Sequence, residues 1–166
     1  MTVADRLNAA DARELLANCC ASEAWVEGML ARRPFANDEA VIAAAYDVGE
    51  TLTDEDWLEA FAGHQVIGDI ESLRNKYAAT KVIAAGEQAG LAGAHDAVLG
   101  ELAELNREYL KRFGFIFIVF ATGKSAEQML AILRTRIGNC REEELQTAAE
   151  EQMKITQLRL KKLGEG

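Results

Sequence analysis

"AVLGELAELNREYLKRFG", residues 97–114, decides the fold. Val98, Leu99, Leu102, Leu105, Tyr109 and Leu110 recur mostly at intervals of three and four, the spacing that lines one face of an α-helix. Lys111 and Arg112 put positive charge in the last turn, where the helix dipole favours it, and Gly114 supplies a stop. A half-buried strand needs apolar residues at every second position, and this stretch lacks them.

The same grammar holds on either side. Ser22 is expected to cap a helix in which Trp25, Val26, Met29 and Leu30 form one stripe. Beyond the break at Pro34, Asn37 caps a second, with Val41, Ile42, Ala45 and Val48 inward. Thr53 opens "TDEDWLEAFAGH", where Trp57, Leu58 and Phe61 face the core and Gly63 ends the helix. Downstream, Ser125 caps a helix through Met129, Leu130 and Leu133 to Ile137, with Gln128 closing a capping box and Gly138-Asn139 as the stop. A last helix runs from "REEEL" to "QLRLKK", acids first and bases last. The expected fold is all-α, a helical bundle forming a single domain over residues 1–166, with one short extended apolar segment near 115–121. That segment, "FIFIVFA", has no polar alternation, which predicts full burial. Its N–H and C=O groups then need partners.

Directly after the apolar run, Thr122-Gly123-Lys124-Ser125 has the look of a phosphate-binding loop. That motif needs a glycine at position 118, because its backbone N–H groups must wrap the phosphates. Ile118 stands there, and a β-branched side chain cannot take a glycine's conformations. Thr122-Gly123 reads instead as a turn before a capped helix.

Apolar residues make up 49% of the chain and charged residues 27%, an ordinary globular composition with enough material for a core. The formal net charge of -9 argues against nucleic acid and anionic membrane surfaces as partners. Three cysteines, two of them adjacent (Cys19, Cys20) and one distant (Cys140), form no Cys-x-x-Cys pair. This argues against a structural zinc site and for a reducing compartment. The start, "MTVADRLNAADARELL", lacks the basic and apolar blocks of a signal peptide, and no apolar run approaches the ~20 residues of a membrane span. A cytoplasmic location is expected.

Few residues can do chemistry. His95, in "AGAHDAV", lies among small residues on an expected helix, which suits packing or surface. His64 follows a helix stop in "FAGHQVIGD", where a side chain is both anchored and reachable, and its titration range suits acid/base work near neutral pH. In "AAGEQAGLAGA", Glu87-Gln88 is surrounded by alanine and glycine, and such a pair can accept from and donate to an amide- or urea-like ligand. Arg134, Arg136 and Arg159 can each grip a carboxylate through a two-pronged hydrogen bond if turned inward.

Taken in order, "RRPFANDEAVIAAA", "DWLEAFAGHQVIGD", "AAGEQAGL", "FGFIFIVFATGKS", "LRTRIGN" and "EEQMKITQLRLKKL" resemble the decarboxylases of 2-oxo-4-hydroxy-4-carboxy-5-ureidoimidazoline, the OHCU decarboxylase family of urate breakdown. The resemblance covers nearly the whole chain. It implies a cofactor-free decarboxylation to (S)-allantoin and CO2, without metal, in a homodimer. His64 and Glu87 take the catalytic places, and Glu87 and Gln88 those that hold the ring and ureido groups. Gln65, Ala84 and the backbone of Ile118, Val119, Phe120 and Ala121 fall on substrate-binding positions. Arg136 or Arg159 supplies a cation, a choice the residues leave open. Two departures from the family stand out. Gln65-Val66 stands where Pro-Arg is usual, which frees a φ angle beside His64 and adds an N–H, and Ala84 replaces a common serine. The first departure motivates an alternative, a non-catalytic module that binds an allantoin-like ligand on the same scaffold.

Overall fold

A computed structural model describes residues 1–64 and 88–165, with the backbone alone for 88–95. Among the described residues there are eight helices and no strand: α1 (Val3–Leu7), α2 (Ala12–Cys19), α3 (Glu23–Ala31), α4 (Asp38–Glu50), α5 (Asp54–Ala62), α6 (Gln88–Phe113), α7 (Ala126–Arg136) and α8 (Arg141–Leu163). The all-α reading holds. Contacts group the chain into two compact units, one of residues 1–64, 118–120 and 145–166, the other of 65–117 and 121–144.

In the first unit, side-chain caps set where the helices begin. Ser22 Oγ accepts from the Trp25 N–H, Asn37 Oδ1 from that of Ala40, and Thr53 and Asp56 close a reciprocal box at the start of α5. Thr2 and Asp5 make another such box at α1. The core gathers around Trp25, Met29, Leu16, Val41 and Leu160, each fully buried. Trp25 also satisfies its indole N–H on the Ala45 carbonyl at 3.3 Å. Asn8 pairs with the backbone of Phe35 in both directions, at 3.0 and 2.8 Å, and so ties down the segment after Pro34. The ends of the unit meet, with Arg6 Nη1 donating to the Leu163 carbonyl at 3.2 Å.

The second unit contains α6 and α7, which pack on one another. Leu99, Leu102 and Tyr109 are buried along α6 as their spacing requires, and Val98 and Leu105 are half-buried. Leu110, placed in the same stripe by sequence, is 37% exposed. Gly114 ends α6 at φ +81°, a conformation that side chains other than glycine's resist. Ser125 and Gln128 close the box at the start of α7. An interior ion pair joins Arg136 Nε to Glu144 Oε1 at 2.6 Å, and the Tyr109 hydroxyl donates to the same carboxylate oxygen at 2.6 Å.

Residues 116–121 belong to neither helix nor strand. Full burial of 115–121 is not what the structure has. Phe115 and Ile118 are buried, while Ile116, Phe117, Val119, Phe120 and Ala121 are half-buried. A segment without a ladder cannot present every side chain to one interior. The rings of Phe115 and Phe117 instead meet Tyr109 edge-on.

Candidate active site

His64 is where the catalytic reading begins, and three features of the first unit position it. The first is helix α5, whose C-cap is Gly63; the His64 N–H continues the turn by donating to the Phe61 carbonyl at 3.1 Å. The second is a close approach. A Cβ on Gly63 would lie 2.5 Å from the Ala21 Cβ, so only glycine lets the chain pass this near the end of α2. The third is one face of α8, where Gln152, Thr156 and Arg159 follow each other at helical spacing.

On that face His64 Nε2 lies 2.5 Å from Gln152 Oε1. Gln152 Nε2 donates to Thr156 Oγ1 at 3.1 Å, and the Thr156 hydroxyl donates to the Cys19 carbonyl at 3.3 Å. Gln152 and Thr156 are completely buried. Arg159 is largely exposed, and its Nη1 donates to the carbonyls of Cys19 and Asn18 at 3.4 and 3.5 Å. The half-buried imidazole has its pKa held below the ordinary 6.5, chiefly because burial penalises the charged ring. The bond to Gln152 opposes that shift and the Arg159 charge adds to it. His64 is therefore a neutral base at neutral pH. Burial also pushes the neighbouring Cys19 thiol up to about 11, which leaves it inert.

One turn of α8 also reaches the apolar segment. The Phe120 N–H donates to Glu151 Oε1 at 3.1 Å, and Glu151 pairs with Lys154. Ile118, Val119 and Phe120 thus share the compact unit of His64 and Arg159, whereas Ala121 groups with the second unit and accepts from the Lys124 N–H there. The two arginines left open by sequence differ in kind. Arg136 is buried in the second unit against Glu144, within 3.4 Å of the Tyr109 hydroxyl and 4.7 Å from the centre of the Phe117 ring. Arg159 is in the first unit and acts electrostatically on His64. Arg134 is exposed and paired with Glu101. Gln65, Ala84 and Glu87 lie outside the described residues, as do the side chains of Gln88 and His95.

Sequence reasoning overlooked Gln152 and Thr156. The available signal was two polar residues, four apart, on the stripe of α8 that also carries Ala148 and Leu160 and turns inward. A separate cavity of about 690 Å3, lined among others by Val3, Asp38, Ile42, Gln157 and Lys161, includes none of the residues around His64.

Comparison with known proteins agrees over most of the chain. The family model described as OHCU decarboxylase matches residues 5–161. The uric acid degradation bifunctional protein TTL of Arabidopsis thaliana is 38% identical over 147 residues, which is 87% of this chain but 45% of that protein. The 2-oxo-4-hydroxy-4-carboxy-5-ureidoimidazoline decarboxylase of Amia calva is 34% identical over 134 residues, 77% of this chain and 73% of its own length. Among solved structures, a crystal structure of OHCU decarboxylase in the presence of (S)-allantoin superposes with a TM-score of 0.71 at 36% identity, covering 90% of this chain and 96% of that one. This chain therefore spans less than half of the plant relative and nearly all of the crystallised one.

Proposed function

The chain belongs to the OHCU decarboxylase family, and from that premise we propose that it converts 2-oxo-4-hydroxy-4-carboxy-5-ureidoimidazoline to (S)-allantoin and CO2. The observation that carries the reading is His64, a half-buried imidazole kept neutral by its surroundings at the family's catalytic position.

The chemistry stems from the substrate and from these residues. Cleavage of the bond to the carboxylate releases CO2 and leaves its electron pair in the ring. The adjacent unsaturation takes that pair up as an enolate-like species, which needs no external electron sink. A proton added to one face of the ring carbon completes (S)-allantoin. The protein supplies alignment of the breaking bond and a dry place for the departing carboxylate. His64 takes up a proton from the substrate's hydroxyl or carboxyl group and returns one to the ring. Glu87 acts with it and, together with Gln88, holds the ring and ureido groups, with Gln65, Ala84 and the backbone of 118–121 completing the contacts. Arg159 is our choice for the cation, because it is largely exposed beside His64 while the Arg136 guanidinium is buried against Glu144. We further propose that the whole chain works as one domain, as a homodimer whose mass sedimentation would read directly, in the cytoplasm. Three free cysteines suit a reducing compartment, and among the described residues no helix is long and apolar enough to cross a membrane.

The test starts from urate, oxidised by urate oxidase and passed through hydroxyisourate hydrolase in the cuvette. Circular dichroism then tracks (S)-allantoin. Adding this protein is expected to bring a fast optically active signal that His64→Ala slows by about 10²–10⁴-fold, the range general acid–base catalysis contributes. Racemic product at one rate with and without protein would overturn the decarboxylase and leave a binding module.

A further inference from the structure

The hydrogen bonds around His64 run in one direction only. Thr156 Oγ1 donates the single proton a hydroxyl has to the Cys19 carbonyl, 3.3 Å away, which also accepts from Arg159. The same oxygen must then accept from Gln152, and the atom that donates across 3.1 Å is the amide Nε2. This turns the amide oxygen, which carries no proton, toward the imidazole at 2.5 Å. The ring must therefore supply the hydrogen from its own Nε2. Gln152 and Thr156 are sealed from solvent, and a turned amide would draw the Thr156 proton to its own oxygen and give up the bond from Thr156 to the Cys19 carbonyl.

We infer that Gln152 is a positioning residue for the decarboxylation: it holds His64 with a proton on Nε2 and leaves Nδ1 as the nitrogen that exchanges a proton with the substrate. The inference rests on the reading of the chain as a decarboxylase. The bond to Gln152 persists whether the ring is neutral or charged, since Nε2 donates in both states. Nδ1 can then load and unload a proton while the ring keeps its orientation. A neutral amide is suited to this, because a carboxylate in its place would favour the charged ring and remove the base at neutral pH. Among the described residues, Arg159 is the charged group that acts on the imidazole, and it pushes the same way as burial.

The experiment begins with the unaltered chain, its histidines labelled with 15N, because protonated and unprotonated ring nitrogens resonate far apart. The expected spectrum of neutral His64 has the proton on Nε2; a proton on Nδ1 would overturn the inference, with no variant needed. In the allantoin assay, Gln152→Leu is expected to lower kcat by about 10- to 100-fold with little change in KM, a part of the roughly 10²–10⁴ available to acid–base catalysis. Gln152→Glu is expected to move the acid limb of kcat/KM to higher pH. A residue that served packing alone would change the melting temperature and leave that limb in place, so an unmoved limb in folded Gln152→Glu protein rejects the positioning role. The two readings also fail separately. Unaltered protein that makes no (S)-allantoin but has Nε2 protonated removes the decarboxylase, and the positioning role in it, yet keeps the tautomer assignment. Active protein with Nδ1 protonated removes only the role of Gln152.

Discussion

At the scale of single residues, the site is governed by how much charge the imidazole of His64 can bear. Its pKa lies below 6.5, first through burial and then through Arg159. The folded protein therefore takes up this proton at a lower pH than the unfolded chain does. The stabilisation that comes from keeping His64 neutral is fully present above about pH 6.5, the ordinary histidine value, and is lost as pH falls through the folded value. Activity that needs the neutral ring should fail over the same acid range. Arg159→Gln removes the like charge, so its acid limb in kcat/KM is expected at a higher pH than in the unaltered protein. The role proposed for Arg159 as the substrate's cationic partner adds a rise in KM. A pH–rate series on both proteins checks this, and a limb that stayed in place or moved to lower pH would break the electrostatic link. His64 itself could be picked out of the sequence, because a histidine just past a glycine stop is conspicuous. Gln152 was harder to find: its place on the inward stripe of α8 was visible, but its partner is 88 positions away.

Among the elements, beginnings of helices were more legible than their neighbours. Ser22, Asn37, Thr53 and Ser125 all cap where their side chains suggested, because a cap is a local bargain between one side chain and the next three residues. Helices α1 and α2 went unread, although the Thr2–Asp5 box was available at the start of α1. Depth is harder to read than type. Leu110 satisfies the helical spacing yet faces out in the last turn of α6, and the seven apolar residues at 115–121 have two of their number buried. Gly63 was read as a helix stop, and its second duty, letting α5 end against Ala21, depends on a distance no local pattern carries. Gly63→Ala is expected to destabilise the protein by about 1–3 kcal/mol through overpacking. It should also lower kcat, since small displacements of a catalytic group cost much rate. Thermal unfolding and the allantoin assay measure the two effects, and a variant indistinguishable from the parent in both would show that α5 has room to move.

For the whole molecule, the family match over residues 5–161 and the helical architecture point the same way. Composition and charge had argued against nucleic acid and anionic membrane as partners, and the ordered blocks carried the resemblance. What sequence could not supply was how the surroundings of Arg136 and Arg159 differ. One is held inside an ion pair with Glu144 and the other stands beside His64, and that difference arises only when distant helices are brought together.

The hydrogen bond from Arg6 to the Leu163 carbonyl bears on how this chain can be rewired. The start of α1 at Val3 also lies against Gly164, just past the end of α8, so a brief linker would close the backbone into a ring, and new ends could be cut at the exposed Ala10-Asp11 turn. Such a circular permutant is expected to retain allantoin synthesis, and the uncut ring to melt above the linear parent because its unfolded ensemble is smaller. Adjacent ends also suit insertion as one module into a longer polypeptide, entering and leaving at a single seam.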